Sequence, residues 1–310
     1  LMRGETTRGG FSEQQLFDRA LSETCRTLGY DEIITYSFIS PSYYDKIRMP
    51  KDSPLRKSLK ILNPLGEDTS IMRTTILPSM LEIITRNYNY RNKAVRLYEL
   101  GKIYLPREDG LADEPKILSL GAYGDGVDFY LIRDIVIDML SQFGVQAKIV
   151  PGAEPYHHPG RAAKLMAGDR CIATVAELHP NVMQAFEITR RTIIAEVNLE
   201  MLCELHTKVG HVCALPKFPA VTRDIALVME EGTTVGSVLD VIRKTGGALL
   251  EKAEMFDIYR GAQLLSGKKS VAFSLTFRNA ERTLSDDDVN PLMQKILAAC
   301  EAECSATLRL

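Results

Sequence analysis

The sequence predicts an α+β protein of two domains, on the basis of three observations. The chain has 310 residues, about twice the length of an ordinary domain. Residues 11–205 lack the strict strand–helix alternation of a parallel sheet, which predicts an antiparallel sheet with flanking helices. Residues 216–310 show the order β-α-β-β-α-β, which predicts a ferredoxin-like domain. Polar residues 1–10 and residues 206–215 are interpreted as linkers.

Hydrophobic periodicity and turn residues place the elements of the first domain. Ser12 is a predicted N-cap, followed by apolar residues at helical spacing until Gly29. A second, short helix is predicted after residues 40–42, and further helices over 77–87 and 129–142. The predicted strands cover residues 32–39, 59–62, 95–104, 117–123, 147–150, 163–166, 171–178 and 192–198, with 106–116 and 151–161 as loops.

The second domain has clearer boundaries between its elements. Thr234 and Ser285 are predicted N-caps of helices that run through Lys244 and to about Cys304. Strands are predicted over 224–229, 249–259, 270–277 and 306–310. In the third of these, Phe273 and Phe277 share one face with Leu275, so that face is expected to lie in the core.

Composition excludes several classes of protein. Hydrophobic residues make up 45% and charged residues 25% of the chain, which is typical of globular proteins and excludes disordered and fibrous ones. No apolar run approaches the ~18 residues of a membrane span. The net charge of −2 means that any polyanion must meet a local basic patch. The six scattered cysteines fit a reduced, cytoplasmic protein, and the start Leu1-Met2 suggests a piece of a longer chain.

Two short segments contain possible metal ligands. His157-His158 are adjacent in sequence, so their side chains diverge, and Glu177 and His179 stand at a predicted strand end. Prolines follow both segments directly, which favours a turn and a strand end that shape the fold. No metal site is predicted.

Residues 260–282 carry five basic residues against one acidic residue, Glu281. A solvated hairpin is one interpretation of this segment. The other is an RNA-binding surface, because aromatic residues interleave with the basic ones on a predicted sheet, where they could stack unpaired bases. Tyr259, Arg260 and Arg278 are the best surface candidates. The full candidate set is Lys217, Arg223, Tyr259, Arg260, Lys268, Lys269, Arg278 and Arg282.

Several segments resemble one known family. Residues 216–226 (PKFPAVTRDIA), 256–261, 269–273 and 282–289 resemble the ferredoxin-fold anticodon-binding domain. Residues 72–78, 97–104, 158–163 and 176–180 continue the likeness upstream. Together, over residues 11–310, the chain resembles the C-terminal half of the bacterial phenylalanyl-tRNA synthetase β subunits.

The resemblance implies a function in the charging of tRNA(Phe) with phenylalanine. It implies that residues 11–205 form a non-catalytic copy of the class II synthetase core, which docks an α subunit in an α2β2 heterotetramer. It implies that residues 216–310 receive the tRNA(Phe) anticodon. ATP and Mg²⁺ would then act in the holoenzyme, with no cofactor bound by this chain. An exposed apolar docking patch is expected on helix 77–87 or on segment 11–27.

The arginines needed for an ATP site are missing from the expected places. A class II site needs one Arg on a strand and another after a Gly-rich turn, since bidentate Arg contacts suit phosphate. No Arg-x-Glu precedes Glu99, and Arg133 follows Gly124-Asp125-Gly126 at the wrong spacing in mid-helix. No catalytic residue is therefore predicted. Two alternatives remain, a regulatory small-molecule-binding module of ferredoxin-like fold and an independent adenylating enzyme.

Overall fold

The computed structural model describes residue 4 and residues 9–108, 110–207, 215–261 and 264–309. The chain divides into two compact units, residues 1–210 and 211–310. Both predicted linkers, 1–10 and 206–215, lie mostly outside the described residues. Within the described part of the chain, no helix is long and apolar enough to cross a membrane. All five cysteines described there are free thiols.

The first unit contains eleven strands and six α-helices among the described residues. The helices are α1 Glu13–Thr27, α2 Tyr43–Lys46, α3 Leu77–Asn89, α4 Phe129–Gln142, α5 Pro180–Ala185 and α6 Leu199–Leu205. The strands are β1 Asp31–Glu32, β2 Phe38–Ile39, β3 Ile71–Met72, β4 Val95–Lys102, β5 Leu105–Pro106, β6 Ala112–Asp113, β7 Lys116–Tyr123, β8 Lys148–Pro151, β9 His157–Ala167, β10 Arg170–Leu178 and β11 Ile193–Asn198.

Seven of these strands form one sheet in the order β1-β4-β7-β11-β10-β9-β8. Its pairs are antiparallel except at one edge, where β1 runs parallel to β4. The purely antiparallel sheet expected from the sequence is therefore wrong at this edge. Parallel neighbours need a long crossover, and the segment between β1 and β4, which includes α2 and α3, provides it.

Two predicted strands are much shorter in the structure. The predicted strand 32–39 is split into β1 and β2, and Ile34 between them is 90% exposed. The predicted strand 59–62 is reduced to one bridge, between Lys60 and Ile71, and Leu62 is 95% exposed. Both segments have β-forming residues, but neither has a neighbouring strand along its full length to complete the backbone hydrogen bonds.

The sequence prediction missed the short strands β3, β5 and β6 and the helices α5 and α6, and it placed the start of β9 too late. Strand β9 begins at His157, inside the expected loop, and residues 105–113 contain the small β5–β6 hairpin. Helices α5 and α6 were also missed, although each carries a start signal. Pro180 occupies the first turn of α5, and the Asn198 side chain accepts a hydrogen bond from the Met201 N–H at the start of α6.

Each face of the seven-stranded sheet carries its own hydrophobic cluster. On one face, α1 and α4 pack on side chains such as Tyr98 and Leu120. Helix α1 begins with the predicted Ser12 cap, whose side chain and that of Gln15 form a reciprocal capping box. On the other face, α3 buries its apolar side against residues such as Leu97 and Ile194.

A row of polar side chains crosses the α3 face of the sheet. Residues directly opposite in antiparallel strands share a face, and the register aligns Glu99, Ser119, Glu196, Thr174 and Lys164 across five strands. Such a row is unusual inside a protein because buried polar groups need partners. The row contains two carboxylates, Glu99 and Glu196, and the hydrogen-bond and ion-pair partners of each determine its role.

Glu99 is satisfied by a buried arginine. The Arg73 Nη2 lies 2.8 Å from Glu99 Oε1, while Nη1 donates to the Thr35 hydroxyl at 2.7 Å and Nε to the Lys102 carbonyl at 3.0 Å. Arg73 and Glu99 are only 2% and 3% exposed. A Cβ on Gly101 would lie 2.5 Å from Arg73 Nη2, so only glycine leaves room for the guanidinium.

The second unit has the predicted βαββαβ order. Its elements are β12 Val221–Glu230, α7 Val235–Gly246, β13 Leu250–Tyr259, β14 Lys268–Phe277, α8 Asp286–Cys304 and β15 Thr307–Leu308. The strands form an antiparallel sheet in the order β13-β14-β12-β15. One face packs on α7 and α8 and fully buries Phe273, Leu275 and Phe277, which confirms the ferredoxin-like fold and the predicted core face.

Replacing Arg73 by Met should lower the free energy of unfolding by about 3–5 kcal/mol, because the buried Glu99 carboxylate would lose its cation. Urea unfolding followed by circular dichroism measures this change. Arg170→Met is the matched control, since Arg170 makes an exposed pair with Glu204 and its loss should change stability little. Equal effects of the two substitutions would contradict the structural role given to Arg73.

Candidate nucleic-acid interface and docking surface

The second unit has one sheet face that α7 and α8 leave uncovered. It is lined by opposed pairs of the two central strands such as Ala226–Ala272 and Thr222–Thr276, with Asp224 opposite Ser274 between them and Glu254 and Asp257 of β13 beside them. The first pair lies at the middle of the sheet and the second towards one end. A shallow, polar sheet face of this kind offers an open platform on which flat groups can lie.

Tyr259 lies at one edge of this platform. It stands opposite Ser270 in the register, and its ring is 4.9 Å from the guanidinium carbon of Arg309, which follows β15. An added Cβ at Gly261 would overlap the Tyr259 hydroxyl, so the glycine lets the ring fold back over the chain. The structure therefore places an aromatic ring and a cation together on the open face.

Arg309 was missed by the sequence prediction. Fifty residues separate it from Tyr259, and β13 and β15 are the two edge strands of the sheet, so the two side chains meet across the open face. The signal was present, however, because residues 306–310 were predicted as a strand of the same sheet. Arg309 has the same parity as Thr307, which pairs with Val228 on the open face.

Three of the predicted cations pair with acidic residues from other parts of the second unit. Arg260 binds the Glu231 carboxylate through Nη2 at 2.8 Å and Nε at 3.0 Å, and this contact lowers the pKa of Glu231. Lys268 lies 3.6 Å from Glu230. Arg278 binds Glu251 at 2.8 Å.

Other predicted cations are held by local structure. Arg278 also donates to the Phe218 carbonyl. Arg282 forms two hydrogen bonds with Asp288, at 2.6 and 2.7 Å, which help to hold the pKa of that carboxyl below its usual range. Arg223 pairs with Asp286. These contacts fix the start of α8 and the segment before β12.

The two remaining lysines differ completely in their surroundings. Lys269 is 7% exposed, and its ammonium donates to the Glu231 carbonyl at 2.8 Å. A buried amine in this position suits folding better than RNA contact. Lys217 is exposed and makes no hydrogen bond or ion pair with any residue that the structure describes.

The positive charge of residues 260–282 is therefore much weaker on the surface than along the sequence. Acidic residues from 230–231, 251 and 288 lie beside the basic ones. A charge count along residues 260–282 omits these acidic residues, because they come from other parts of the chain and approach the segment only in the folded structure. An RNA-binding function of the eight candidate residues stays a prediction.

The histidines singled out in the sequence make structural hydrogen bonds. His157 is buried, its Nδ1 accepts from the Glu154 N–H at 3.1 Å, and burial lowers its pKa to about 4. His158 Nδ1 accepts from the Gly160 N–H, and His179 Nδ1 accepts from the Asn181 N–H at the start of α5. Among the described residues, no group of three or more His, Cys, Asp or Glu is arranged to hold a metal ion.

The first unit exposes apolar side chains beside α3. Ile34, Tyr36 and Tyr90 are 90%, 82% and 77% exposed. Two pockets, of about 570 and 630 Å³, adjoin one another through Ile83 and Arg86 of α3. We call this the α3 surface, and it consists of Ile34, Tyr36, Phe38, Ile83, Arg86 and Tyr90.

Segment 11–27, the other docking candidate, is less apolar on its outside. Phe17, Leu21 and Cys25 of α1 are buried within the unit. Leu16 and Phe11 are about half exposed, and the Arg19 guanidinium lies over the Phe11 ring. The exposed apolar area therefore favours the α3 surface for contact with another protein.

Most of the chain matches two known protein-family models. Residues 1–199 match the family model described as "Phenylalanyl tRNA synthetase beta chain CLM domain". Residues 216–309 match the "Ferredoxin-fold anticodon binding domain" model. The chain belongs to the phenylalanyl-tRNA synthetase β chain family. This confirms the resemblance that the sequence motifs indicated.

Individual relatives of this family agree with the assignment. The chain is 38% identical to the phenylalanine–tRNA ligase β subunit of Clostridium acetobutylicum, over 99% of this chain and 39% of the relative. It is 39% identical to that of Clostridium tetani, over 97% of this chain and 39% of the relative. The chain thus spans about two fifths of the length of these curated relatives.

A solved structure shares the fold of part of the chain. Pyrrolysyl-tRNA synthetase from Desulfitobacterium hafniense superposes with a TM-score of 0.51, over 61% of this chain and 68% of that one. The two sequences are 18% identical, so the likeness concerns the fold alone. A synthetase-like fold was expected from the sequence.

Proposed function

We propose that the chain is the C-terminal part of the β subunit of a cytoplasmic phenylalanine–tRNA ligase and that it acts by binding. The first unit docks an α subunit in an α2β2 heterotetramer, and the second receives the anticodon of tRNA(Phe). The observation that carries the proposal is the open sheet face of an anticodon-binding-type domain, with Tyr259 beside Arg309.

The catalytic step, ATP-dependent attachment of phenylalanine to tRNA, belongs in this proposal to the α subunit. The polar row of the first unit does not suit ATP. Its one neighbouring guanidinium, that of Arg73 among the described residues, is occupied by Glu99, and Glu196 would repel phosphate. Arg133 lies on the opposite side of the sheet, on α4, beside Asp134. ATP and Mg²⁺ therefore act in the holoenzyme and not on this chain.

The alternative of a regulatory small-molecule module receives less support. Such a module needs an enclosed, largely apolar pocket in the second unit. A pocket of about 340 Å³ there is lined by Arg243 and residues 250–254, and four of these six residues are charged. The open sheet face suits a flat, stacked base better than an enclosed ligand.

Two side chains at this end of the sheet support RNA binding in this proposal. The Tyr259 ring can stack a base of the anticodon loop. Arg260 is exposed, and an exposed ion pair such as Arg260–Glu231 contributes little to stability, so a phosphate can replace the carboxylate at small cost. In this proposal, the Glu231 carboxylate occupies the position on Arg260 that an RNA phosphate takes in the complex.

The first prediction of this proposal is that the chain alone does not activate phenylalanine. ATP–pyrophosphate exchange by the purified chain should stay at the level of the buffer, because none of the described residues places a free arginine near the polar row to hold ATP. Adding the α subunit should produce exchange in the same assay. Phenylalanine-dependent exchange by the chain alone would contradict the assignment of catalysis to α.

The second prediction concerns tRNA(Phe) affinity, measured by filter binding with the α subunit present. Tyr259→Ala should weaken binding by about 1–3 kcal/mol through loss of base stacking, whereas Tyr259→Phe should keep it. Arg260→Ala should reduce the slope of log affinity against log salt concentration by about 1, which corresponds to the loss of one phosphate contact.

Glu231→Gln tests the same contact in the opposite direction. It removes the carboxylate that binds Arg260, leaves the guanidinium free for a phosphate, and should tighten tRNA binding. Thermal melts check that each variant is folded. Unchanged affinity in folded Tyr259→Ala and Arg260→Ala variants would place the anticodon elsewhere. Lys217→Ala and Arg223→Ala would then test the segment before β12.

The third prediction concerns the α subunit, measured by pull-down with tagged α. Ile34→Asp should abolish co-purification, because Ile34 is 90% exposed on the α3 surface and a buried charge in an apolar interface is costly. Leu16→Asp on α1 places the same charge on the other candidate surface and should leave binding intact. The reverse pattern would assign docking to α1.

A further inference from the structure

The first unit contains a cavity that the proposed function does not use. It has a volume of about 220 Å³ and lies against the α3 face of the seven-stranded sheet, where the polar row crosses β11. Liquid water occupies about 30 Å³ per molecule, so the space equals about seven waters. This is room for a small organic molecule.

Glu196 stands in the wall of this cavity. It lies on β11, the middle of the polar row, and its Oε1 accepts one hydrogen bond from the Thr75 hydroxyl at 3.3 Å. No Lys or Arg of the described residues forms an ion pair with it. Burial raises the pKa of this carboxyl, and the Thr75 hydrogen bond opposes that shift only in part.

The contrast with Glu99 makes Glu196 unusual. Both carboxylates lie on the same row of the same sheet face. Glu99 has a guanidinium and a hydroxyl, whereas Glu196 has a single, long hydrogen bond from a hydroxyl. A partly buried carboxyl without a cation either takes up a proton, in line with its raised pKa, or keeps its charge when a ligand supplies a cation.

The remaining walls define the shape and polarity of a ligand. Leu55, Ile103 and Ile117 provide apolar surface. Tyr156 contributes its ring and a hydroxyl, which stays protonated because burial and the charge of Glu196 raise its pKa. No lysine or arginine of the described residues lines the cavity, so a carboxylate or phosphate on the ligand would find no cation there, only neutral donors such as Thr74, Thr174 and Asn198.

We propose that this cavity binds a small primary amine with a short apolar group, its ammonium on the Glu196 carboxylate and its hydrocarbon part against Leu55, Ile103 and Ile117. The absence of cations from the described walls excludes amino acids and nucleotides as good ligands. The cavity is thus a different site from one for phenylalanine or ATP, and it goes beyond the proposed tRNA function.

Three probes that share one hydrocarbon skeleton test this proposal. They are 3-methylbutylamine, 3-methylbutan-1-ol and leucine, which present an ammonium, a hydroxyl, and an ammonium with a carboxylate. Calorimetric titration of the 310-residue chain at pH 7.5 should show the amine binding at least about tenfold more tightly than either of the others. Equal binding of amine and alcohol, or tighter binding of leucine, would overturn the proposal.

Glu196→Gln removes the charge and keeps the shape of the side chain. It should reduce amine affinity about tenfold or more and leave alcohol binding unchanged. Glu200→Gln is the control, because Glu200 is exposed on α6 outside the cavity. Amine binding that survives Glu196→Gln would refute the role of this carboxylate.

Folding of the variant provides an independent readout. A carboxyl whose folded pKa is raised favours folding at low pH and opposes it as pH rises through that pKa. Glu196→Gln should therefore melt at or above the wild-type temperature at pH 7.5, and the difference should shrink towards pH 4.5.

Amine binding to the wild type should weaken over the same pH range, as Glu196 takes up its proton. The titratable and charged groups around Glu196 are Tyr156 and Cys171 in the cavity, the Arg73–Glu99 pair on one side of the row and the Lys164–Glu154 pair on the other. No tRNA or α subunit is present in these assays, so their outcome is independent of the proposed function. Amine affinity that stays constant from pH 7.5 to 4.5 would contradict binding through the Glu196 charge.

Discussion

The Arg73 guanidinium is the interaction on which the first unit depends. Its three donor nitrogens reach three places in the structure: the Thr35 hydroxyl in the segment between β1 and β2, the Glu99 carboxylate, and the carbonyl at the end of β4. The segment around Thr35 has little regular structure of its own. Because these three hydrogen bonds are buried and directional, they hold the segments in one arrangement around the guanidinium. Gly101 is the sequence feature that makes the approach possible.

In the proposed function, this use of arginine suits a unit that acts by binding. The fold resembles that of a tRNA synthetase, yet the arginine nearest the polar row is bound by a carboxylate and is not available to a phosphate. The other carboxyl of the row, Glu196, has no cationic partner among the described residues, and its raised pKa means that its charge is costly without one. A cationic ligand therefore suits this sheet face better than ATP does. The exposed apolar residues lie elsewhere, beside α3, where a protein partner can cover them.

Periodicity predicted the long elements because their burial is decided within the segment itself. Helix α4 has the predicted bounds, and the alternation of Phe273, Leu275 and Phe277 identified the core face of β14. Short segments failed for the opposite reason. Residues 59–62 have the composition of a strand, but only tertiary neighbours decide whether their backbone is paired.

The surface charge of the candidate site was also difficult to predict from local sequence. The basic residues of 260–282 were recognised in the sequence, but their acidic partners were not, since Glu231 follows β12 and Glu251 lies on β13. Arg309 beside Tyr259 was likewise hidden by sequence distance. Residue type and parity can be read locally, whereas the charge of a surface depends on the order of strands in the sheet.

The most direct measurement is a ribose-cleavage footprint of tRNA(Phe), recorded with α alone and with α plus this chain. Hydroxyl radicals cut each exposed ribose, so a protein that covers the anticodon loop protects that loop and leaves the rest of the pattern unchanged. If the open sheet face receives the anticodon, adding the chain should protect the anticodon loop at moderate salt, and protection should fade as salt increases. An anticodon loop that stays equally exposed with and without the chain, while the complex with α forms, would contradict the assignment of the second unit to anticodon binding.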